Sequence, residues 1–421
     1  MSLHLPKYKK VTVEHALTKY NRQKYVYIPL ISGGDTNLTL LVQKGDYVNK
    51  GAPVARRKGA YKIPILASVS GTIVGFEEHY CNDEMVKCVK IENDFKETEL
   101  NVKNNTHLAN ISKKEFLELL KEKGIVGLGG AEFPTYVKYE SKNKINTLIV
   151  NAVECEPYVS ADQVLGLNFA DEILEAIDAI LEINEIENAY IAINKTNTKL
   201  INEFTNHMGT YLKIKLFLVD DLYPIGWERL LVNKITGDDY KEFPSEIGVV
   251  VNNLATINAI YVALKYNKGL TERVITFAGD MLKNPQNIVV KTGTLVSEVI
   301  ESIEGYKRAK DMFFVAGGPM MGSSLRSDDL VVTPGLNAVL VLRKREEVIP
   351  EACIRCGKCA LVCPVKLSPV IIKDNLKNVE NLKKLNVNKC IECGACSYIC
   401  PSSLKVREWV KLAKDKIKEV K

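Results

Sequence analysis

Histidine is scarce in this sequence and long apolar runs are missing from it, and each absence excludes a class of protein. Five histidines occur in 421 residues, and no two of them stand at the helical spacing of paired metal ligands. Histidine-based metal chemistry and a Ser-His-Asp triad therefore have no support. No apolar run is long enough to cross a bilayer, and the N-terminus has no apolar signal core. We therefore expect a cytoplasmic protein.

A strong charge of either sign is also missing. The chain has 57 basic and 51 acidic residues, a net charge of +6, and so small an excess gives no reason to expect a nucleic-acid partner. Its 46% apolar and 26% charged residues are typical of a soluble globular protein. The length predicts about two to four domains.

What the sequence does contain is cysteine, in two runs of identical spacing near the C-terminus. The first run contains Cys353, Cys356, Cys359 and Cys363, and the second contains Cys390, Cys393, Cys396 and Cys400. A proline follows each run. This is the two-cluster ferredoxin pattern, in which three cysteines hold one [4Fe-4S] cluster and the fourth ligates the other. Structural zinc favours paired knuckles, and a disulfide framework would need an oxidising compartment.

The pattern divides the eight cysteines into two crossed sets of four. We assign Cys353, Cys356, Cys359 and Cys400 to one centre, the first cysteine set. We assign Cys363, Cys390, Cys393 and Cys396 to the other, the second cysteine set. Three further cysteines remain, and we interpret Cys81 and Cys88 as free thiols near a pair of strands.

Residues 24–93 read as an all-β region. Short β-rich runs at 25–30, 38–42, 62–66, 71–76 and 86–91 are separated by glycine-containing turns. The region resembles the barrel-sandwich of lipoyl and biotinyl carrier domains. Those carriers present an acceptor lysine in a hairpin, whereas the corresponding turn of this chain, residues 68–71, has none. We therefore expect a structural or docking role.

A glycine-rich loop follows a predicted helix in the central region. Ser112 and Glu115 form a capping box that opens a helix over 113–123. The loop then supplies Gly127, Gly129 and Gly130, whose backbone N–H groups can approach an anion closely. It is neither a Rossmann fingerprint, because no strand precedes it, nor a Walker loop.

Strands and helices then alternate, which predicts βαβ units and a mostly parallel sheet. Polar residues follow the strands, where ligands bind in open α/β sheets. Asn151 and Glu154 follow a strand over 147–150, and Asn252 and Asn253 end another. The asparagines could also simply cap the next helix, and Glu228 could simply face a helix dipole.

The regions that follow predict two smaller units. Residues 271–325 read as a small α+β module, and 335–342 as a last strand. The tail over 404–421 reads as a basic amphipathic helix, which we expect to pack on its own domain rather than on a membrane.

Six motifs in this order resemble the RnfC family. They are GGAEFPT at 129–135, NAVECEP at 151–157, YPIGWE at 223–228, VNN at 251–253, GGPMMG at 317–322 and the paired cysteine runs. RnfC is the peripheral, nucleotide-reactive subunit of the membrane ferredoxin:NAD oxidoreductase and is similar to the flavin subunit of respiratory complex I. The resemblance covers roughly residues 4–406.

The resemblance implies a multi-domain α/β protein. Its parts would be a barrel-sandwich (1–95), a Rossmann-like domain for FMN and NADH (112–268), an SLBB β-grasp module (269–342) and a largely α-helical ferredoxin-type domain with two [4Fe-4S] clusters (345–421). Hydride transfer between NAD(H) and FMN, followed by single-electron steps through the clusters, would be its chemistry.

The resemblance also implies roles for individual residues. The FMN phosphate would be held by Gly127, Gly129, Gly130 and Lys138. The ribityl chain and ring edges would be lined by Asn151, Glu154, Asn252 and Asn253. Gly226 and Glu228 would lie beside the isoalloxazine, where nicotinamide stacks, with Glu228 as the candidate catalytic residue.

The chain departs from the family pattern at Glu132 and Trp227, where the family usually has glycine. Three hypotheses therefore stay open. The chain is a subunit docked with other electron-transfer subunits on the cytoplasmic face of a membrane, with ferredoxin as an indirect partner. Alternatively it is a soluble reductase for another acceptor enzyme, or a flavin-free electron wire. The direction of electron flow, the acceptor and the oligomeric state are not encoded in these motifs.

Overall fold

The computed structural model describes residues 3–59, 61–308, 311–344, 346 and 348–419. The strands are β1 Thr18–Lys19, β2 Tyr25–Pro29, β3 Leu38–Leu40, β4 Tyr47–Val48, β5 Pro53–Arg57, β6 Pro64–Leu66, β7 Gly71–Cys81, β8 Glu84–Asn93, β9 Thr147–Ala152, β10 Asn188–Asn194, β11 Ile214–Val219, β12 Val249–Asn253, β13 Glu272–Ala278, β14 Gln286–Lys291, β15 Met312–Ala316, β16 Ser323–Leu325 and β17 Ala338–Arg343.

The helices alternate with the strands only in the middle of the chain. They are α1 Lys10–Glu14, α2 Lys113–Glu122, α3 Thr135–Tyr139, α4 Ala161–Asn168, α5 Ala170–Ile183, α6 Thr198–His207, α7 Glu228–Thr236, α8 Leu254–Tyr266, α9 Val296–Ser302, α10 Lys358–Leu361, α11 Pro369–Asp374, α12 Val379–Lys384, α13 Ala395–Tyr398 and α14 Val406–Glu419, with 3-10 turns at Met208–Thr210, Pro244–Ile247 and Val387–Lys389. The predicted capping box of Ser112 and Glu115 opens α2.

The N-terminal β region consists of two antiparallel sheets, β2-β8-β7-β4 and β3-β5-β6, that share one core. The sequence pattern missed β5, which begins with a proline and ends in two arginines. The turn without an acceptor lysine is buried at Ser68, and the Ser68 hydroxyl donates to the Thr292 carbonyl. The turn is therefore fixed against the region that contains β14, as a structural or docking role requires.

The central sheet is parallel throughout, in the order β11-β10-β9-β12. Helices α5 and α8 pack on one face, and α7 packs on the other through Leu231 and Val232. The strand order reverses between β9 and β12, and ligands bind at such a reversal in open α/β sheets. The predicted alternation of strands and helices is confirmed, although β9 extends to Ala152 and so contains Asn151.

The third sheet has the order β1-β14-β13-β17-β15-β16, with α9 packed into its core. Strand β1 pairs in parallel with β14, so part of the segment assigned to the barrel-sandwich at 1–95 joins this sheet instead. The sequence could not predict this pairing, because β1 is two exposed residues long and has no hydrophobic pattern.

The C-terminal region is built from the short helices α10–α13 and the longer α14. As expected, α14 packs on its own domain, burying Val406, Val410, Ala413 and Ile417. Burial stabilises this packing by about 1.5–3 kcal/mol for each large apolar side chain. Residues 345, 347, 420 and 421 of the predicted domain lie outside the described part of the chain. Among the described helices, none has the length and apolar character needed to span a bilayer.

Candidate functional site

The predicted site residues meet where the strand order reverses, at the carboxyl ends of β9 and β12. Asn151 of β9 is the register partner of Asn253 of β12. The glycine-rich loop reaches the same place, because Gly129 lies against the side chain of Asn253. Residues far apart in the sequence are thus neighbours at the edge where an α/β sheet binds its ligand.

A lysine and a glutamate face each other beside this edge. Helix α3 carries Lys138, whose ammonium donates to the Val251 carbonyl at 2.7 Å. The same Nζ lies 3.2 Å from Oε2 of Glu228, the first residue of α7. Both side chains are partly exposed, at 24% and 38%, so the positive charge of Lys138 is accessible to a ligand.

The three asparagines make different contacts. Asn151 donates to the Gly226 carbonyl at 2.8 Å and joins β9 to the turn before α7. Asn252 is buried and donates to the Tyr139 hydroxyl. Asn253 caps α8 by accepting from Ala255 N–H, which is the structural alternative that its sequence position left open.

Glu154 is connected to Asn253 through Asp162, whose carboxylate accepts from the Asn253 side-chain amide at 2.5 Å. Its carboxylate accepts from the backbone N–H groups of Asp162 and Gln163 at the start of α4, and its side chain is 8% exposed. Burial and the nearby Asp162 carboxylate raise the pKa of Glu154 to about 8, against the opposing effect of Lys9. Burial likewise raises the pKa of Asp162.

A cavity of about 1010 Å³ lies on the Glu154 side of the loop after β9. Its lining includes Glu154, Asn194 and Asn197 together with residues 5–14 of the N-terminal segment. Its lining does not include Lys138, Asn151, Gly226, Glu228 or either asparagine of β12. Of the predicted site residues, Glu154 lines this cavity, whereas Lys138 lies beside Glu228 and Asn151 beside Gly226.

Glu132, the first departure from the family pattern, bonds to two other regions of the chain. Its carboxylate accepts from the backbone N–H groups of Gly33 at 3.0 Å and Gly335 at 2.6 Å. These donors belong to the N-terminal β region and to the segment before β17. The charge is therefore engaged by two amides outside the glycine-rich loop. Trp227, the second departure, is half-buried and stands immediately before α7.

The eight cysteines of the C-terminal region gather as the spacing predicts. The first cysteine set, Cys353, Cys356, Cys359 and Cys400, lines one small cavity. The second cysteine set, Cys363, Cys390, Cys393 and Cys396, lines another. All eight are free thiols. Within the described residues no three potential ligands stand close enough to share a single metal ion.

The second cysteine set is chemically suited to an iron–sulfur cluster. Burial, with contributions from neighbouring thiols, raises the pKa of Cys393 to about 11 and that of Cys396 to about 12. Thiolates crowded in this way repel one another, and a cluster's iron would offset that repulsion while taking its preferred soft ligands. The residues present therefore fit the group.

Sequence reasoning missed two residues that link the flavin-side loop to this set. Glu156 accepts from the N–H groups of Met320 and Met321, each at 3.0 Å. Tyr223 donates to the Cys393 carbonyl at 2.7 Å. Their motifs, NAVECEP and YPIGWE, were visible in the sequence, but the partners lie far along the chain.

Three known domain families match separate parts of the chain. Residues 2–96 match the RnfC Barrel sandwich hybrid domain, residues 120–262 match the Nuo51 FMN-binding domain, and residues 345–401 match the 4Fe-4S dicluster domain. The cofactor predictions, FMN and [4Fe-4S] clusters, are therefore confirmed at the level of the domains that carry them.

Curated relatives extend over most of the chain. The C subunit of the proton-translocating ferredoxin:NAD(+) oxidoreductase complex of Clostridium ljungdahlii is 32% identical over 357 residues, covering 82% of this chain and 77% of the relative. Its counterpart in the Na(+)-translocating ferredoxin:NAD(+) oxidoreductase complex of Acetobacterium woodii is 32% identical, covering 88% and 86%. The counterpart in the ion-translocating oxidoreductase complex of Rhodobacter capsulatus is 31% identical, covering 87% and 72%.

A solved structure shares the fold alone. The NAD+-reducing [NiFe]-hydrogenase in its H2-reduced state superposes with a TM-score of 0.50 at 15% identity, over 74% of this chain and 61% of that one.

The curated relatives and the matching domains confirm the family resemblance that the motifs predicted. The chain belongs to the RnfC family and is an electron-transfer protein with an FMN-binding domain and a 4Fe-4S dicluster domain.

Proposed function

We propose that this protein is the NADH-reactive subunit of an ion-translocating ferredoxin:NAD oxidoreductase complex. The observation that carries the proposal is the meeting of Lys138, Glu228 and the Asn151–Gly226 contact at the strand-order reversal. Its relatives in Clostridium ljungdahlii and Acetobacterium woodii are subunits of such complexes, which supports membership of one. Its partners would be the other subunits, with ferredoxin acting indirectly, and its place would be the cytoplasmic face of the membrane.

FMN would be held by the glycine-rich loop and Lys138. When bound, it supplies the conversion between the two electrons of NAD(H) and the single electrons of the [4Fe-4S] clusters. The Gly127 N–H donates to the Phe133 carbonyl at 2.8 Å and so shapes the loop, whereas the backbone N–H groups of Gly129 and Gly130 would face the phosphate and the Lys138 ammonium would offset its charge. The chain's own task is to bind and orient, so no general base is required.

The residues beside α7 would orient the ring and the nicotinamide. Asn151 donates to the Gly226 carbonyl at 2.8 Å and would so fix the position of the turn before α7 relative to the ring. Glu228 would accept from the nicotinamide carboxamide, since its carboxylate is 38% exposed. Asn252, Asn253 and Glu154 would support the site from behind, through their contacts to α3, α8 and α4.

The remaining regions would have structural and docking roles. We assign the sheet within 269–342 to an SLBB-like module, because its strands and α9 make a small α+β unit. The domain limits proposed are 1–95, 112–268, 269–342 and 345–421. Strand β1 adds an N-terminal segment to the third unit.

The spectrum of the anaerobically reconstituted protein tests this function. We expect flavin absorbance together with the broad cluster absorbance, and we expect NADH to bleach the flavin band. Cluster absorbance alone, unresponsive to NADH, would contradict the proposal and favour the flavin-free electron wire. Bleaching in a protein that co-purifies with no integral-membrane subunit would instead favour a soluble reductase for another acceptor enzyme.

A further inference from the structure

Glu156 anchors the GGPMMG loop at 317–322. Its Oε2 accepts from Met320 N–H and its Oε1 from Met321 N–H, each at 3.0 Å. Both carboxylate oxygens are thus engaged by the backbone of a loop that is far away in sequence. A carboxylate that accepts two backbone N–H bonds makes charge-assisted hydrogen bonds, which are stronger than neutral ones.

The composition of the loop matches this anchoring. A Cβ atom on Gly318 would lie 2.5 Å from Oε2 of Glu156, a separation that atoms do not tolerate. The carboxylate therefore occupies the space that any other side chain at position 318 would need. The GGPMMG motif and Glu156, the second glutamate of NAVECEP, are therefore in direct contact with each other.

The anchored loop presses against the second cysteine set. The Met320 carbonyl accepts from Nη1 of Arg407 at 3.1 Å, and a Cβ on Gly394 would lie 2.9 Å from the Met320 oxygen. Gly394 follows Cys393 directly. On the other side of Cys393, the buried Tyr223 donates to its carbonyl at 2.7 Å. Two residues of the flavin-binding region therefore hold one cysteine motif, one of them through the loop.

At the first cysteine motif, 353–359, the described residues make no comparable hydrogen bond with the flavin-binding region, although the two motifs match in backbone conformation at two positions. Arg355 and Glu392 have φ values of +55° and +56°, and Gly357 and Gly394 have +73° and +76°. Yet Cys356 is exposed whereas the equivalent Cys393 is buried. A Cβ on Gly357 would meet nothing within 4 Å. Both cavities are lined by residues of the C-terminal domain, between 353 and 409 for the first set and between 363 and 410 for the second, so the two sets differ in what contacts the motif backbone from outside that domain.

We propose that Glu156 and Tyr223 are positioning residues for the second cysteine set, which they fix to the flavin-binding region, whereas the C-terminal domain builds the first set alone. The proposal deepens the proposed function, because it names the centre that the flavin-binding region holds. It requires [4Fe-4S] binding but neither FMN nor NADH.

Substitution in single-centre backgrounds tests this assignment on the full chain. Cys359→Ser leaves only the second set complete, and Cys396→Ser leaves only the first. Glu156→Gln puts an N–H₂ group against a backbone N–H in place of one acceptor oxygen. We expect it to change the electron paramagnetic resonance signal and shift the midpoint potential of the dithionite-reduced cluster in the Cys359→Ser background. In the Cys396→Ser background neither should change.

Two further variants make the test decisive. Tyr223→Phe removes only the hydroxyl that reaches Cys393 and should act on the same centre, which covers the case in which Glu156→Gln fails to fold. Asp374→Asn is the matched control, because Asp374 pairs with Arg355 of the first motif at 3.0 Å, and it should leave the second centre unchanged. Unaltered signals and potentials in Glu156→Gln and Tyr223→Phe, or equal shifts of both centres, would overturn the proposal.

Because dithionite donates electrons without NADH or flavin, these outcomes are independent of the NADH bleaching experiment. A protein that fails to respond to NADH but shows the selective shift would lose the proposed function and keep this assignment.

Discussion

Nζ of Lys138 lies 3.2 Å from Oε2 of Glu228 and 2.7 Å from the carbonyl oxygen of Val251. The ammonium is therefore held at the end of β12 by acceptors of the chain itself. A partly exposed ion pair of this kind contributes only about 0–1 kcal/mol to stability. We therefore interpret the pair as holding two charges in place for a ligand, since its contribution to stability is small.

Replacing Lys138 with alanine should weaken FMN retention without loss of iron. The substitution removes the positive charge that would offset the phosphate, while the cysteine sets lie in another domain. Flavin and iron content per chain, measured after gel filtration, check this. Lys142→Ala removes an exposed lysine nearby and should retain both cofactors. An equal loss of flavin and iron in Lys138→Ala would count against the assignment.

Replacing Glu228 with glutamine should slow bleaching by NADH while FMN stays bound. The change keeps the shape of the side chain but removes the charge and one acceptor oxygen offered to the nicotinamide. Stopped-flow absorbance at the flavin band measures the rate. Glu242→Gln is the control, because Glu242 is exposed and lies beyond the end of α7. If bleaching is as fast as in the wild type, Glu228 has no role in the reaction.

Substitutions at Glu132 should separate its two structural effects. Alanine removes the acceptors for Gly33 and Gly335, and we expect a loss of about 1–3 kcal/mol in the free energy of unfolding. Glycine removes the same acceptors but relieves the strain of φ +49°, which costs about 1–3 kcal/mol for a side-chain-bearing residue. Glycine should therefore be less destabilising than alanine, as chemical denaturation can measure.

FMN affinity provides the second readout for these variants. Because the carboxylate is engaged by the N–H groups of Gly33 and Gly335, neither substitution should tighten FMN binding appreciably. A marked gain in affinity on removing the charge would mean that Glu132 opposes the phosphate after all.

Glu154 should make the protein less stable as the pH rises from about 4.5 to about 8. Its pKa is 4.5 in the unfolded reference and raised to about 8 in the folded protein, so the folded state binds the proton more tightly. That contribution to stability is complete below pH 4.5 and is lost as the pH rises through about 8. Glu154→Gln lacks this titration, whereas Asp162 still titrates in both proteins.

The comparison to make is the difference in unfolding free energy between wild type and Glu154→Gln under anaerobic conditions. We expect the wild type to lose up to about 1.4 kcal/mol per pH unit relative to the variant between about pH 6 and pH 8. A difference that stays constant with pH would mean that Lys9, 3.7 Å away, keeps Glu154 ionised throughout.

Features with a local or periodic signal could be predicted from the sequence. The capping box of α2 depends on two residues three positions apart, and the alternation of apolar strands and amphipathic helices identifies the parallel sheet. The crossed cysteine sets follow from ligand spacing alone, because iron–sulfur clusters impose that spacing on the chain. The family motifs added predictions of which residues hold the flavin, which spacing could not supply.

Long-range packing decided the rest. That β1 joins the third sheet, that Glu132 turns toward Gly33 and Gly335, and that Glu156 holds Met320 all depend on contacts between residues about 100 or more positions apart. The two cysteine motifs show this most directly: equal spacing is accompanied by matching positive φ values at two positions, but Cys393 is buried whereas the equivalent Cys356 is exposed. The sequence of a segment determines which cysteine ligands it offers. The burial of those cysteines depends on which residues, distant in the sequence, pack against them and exclude water.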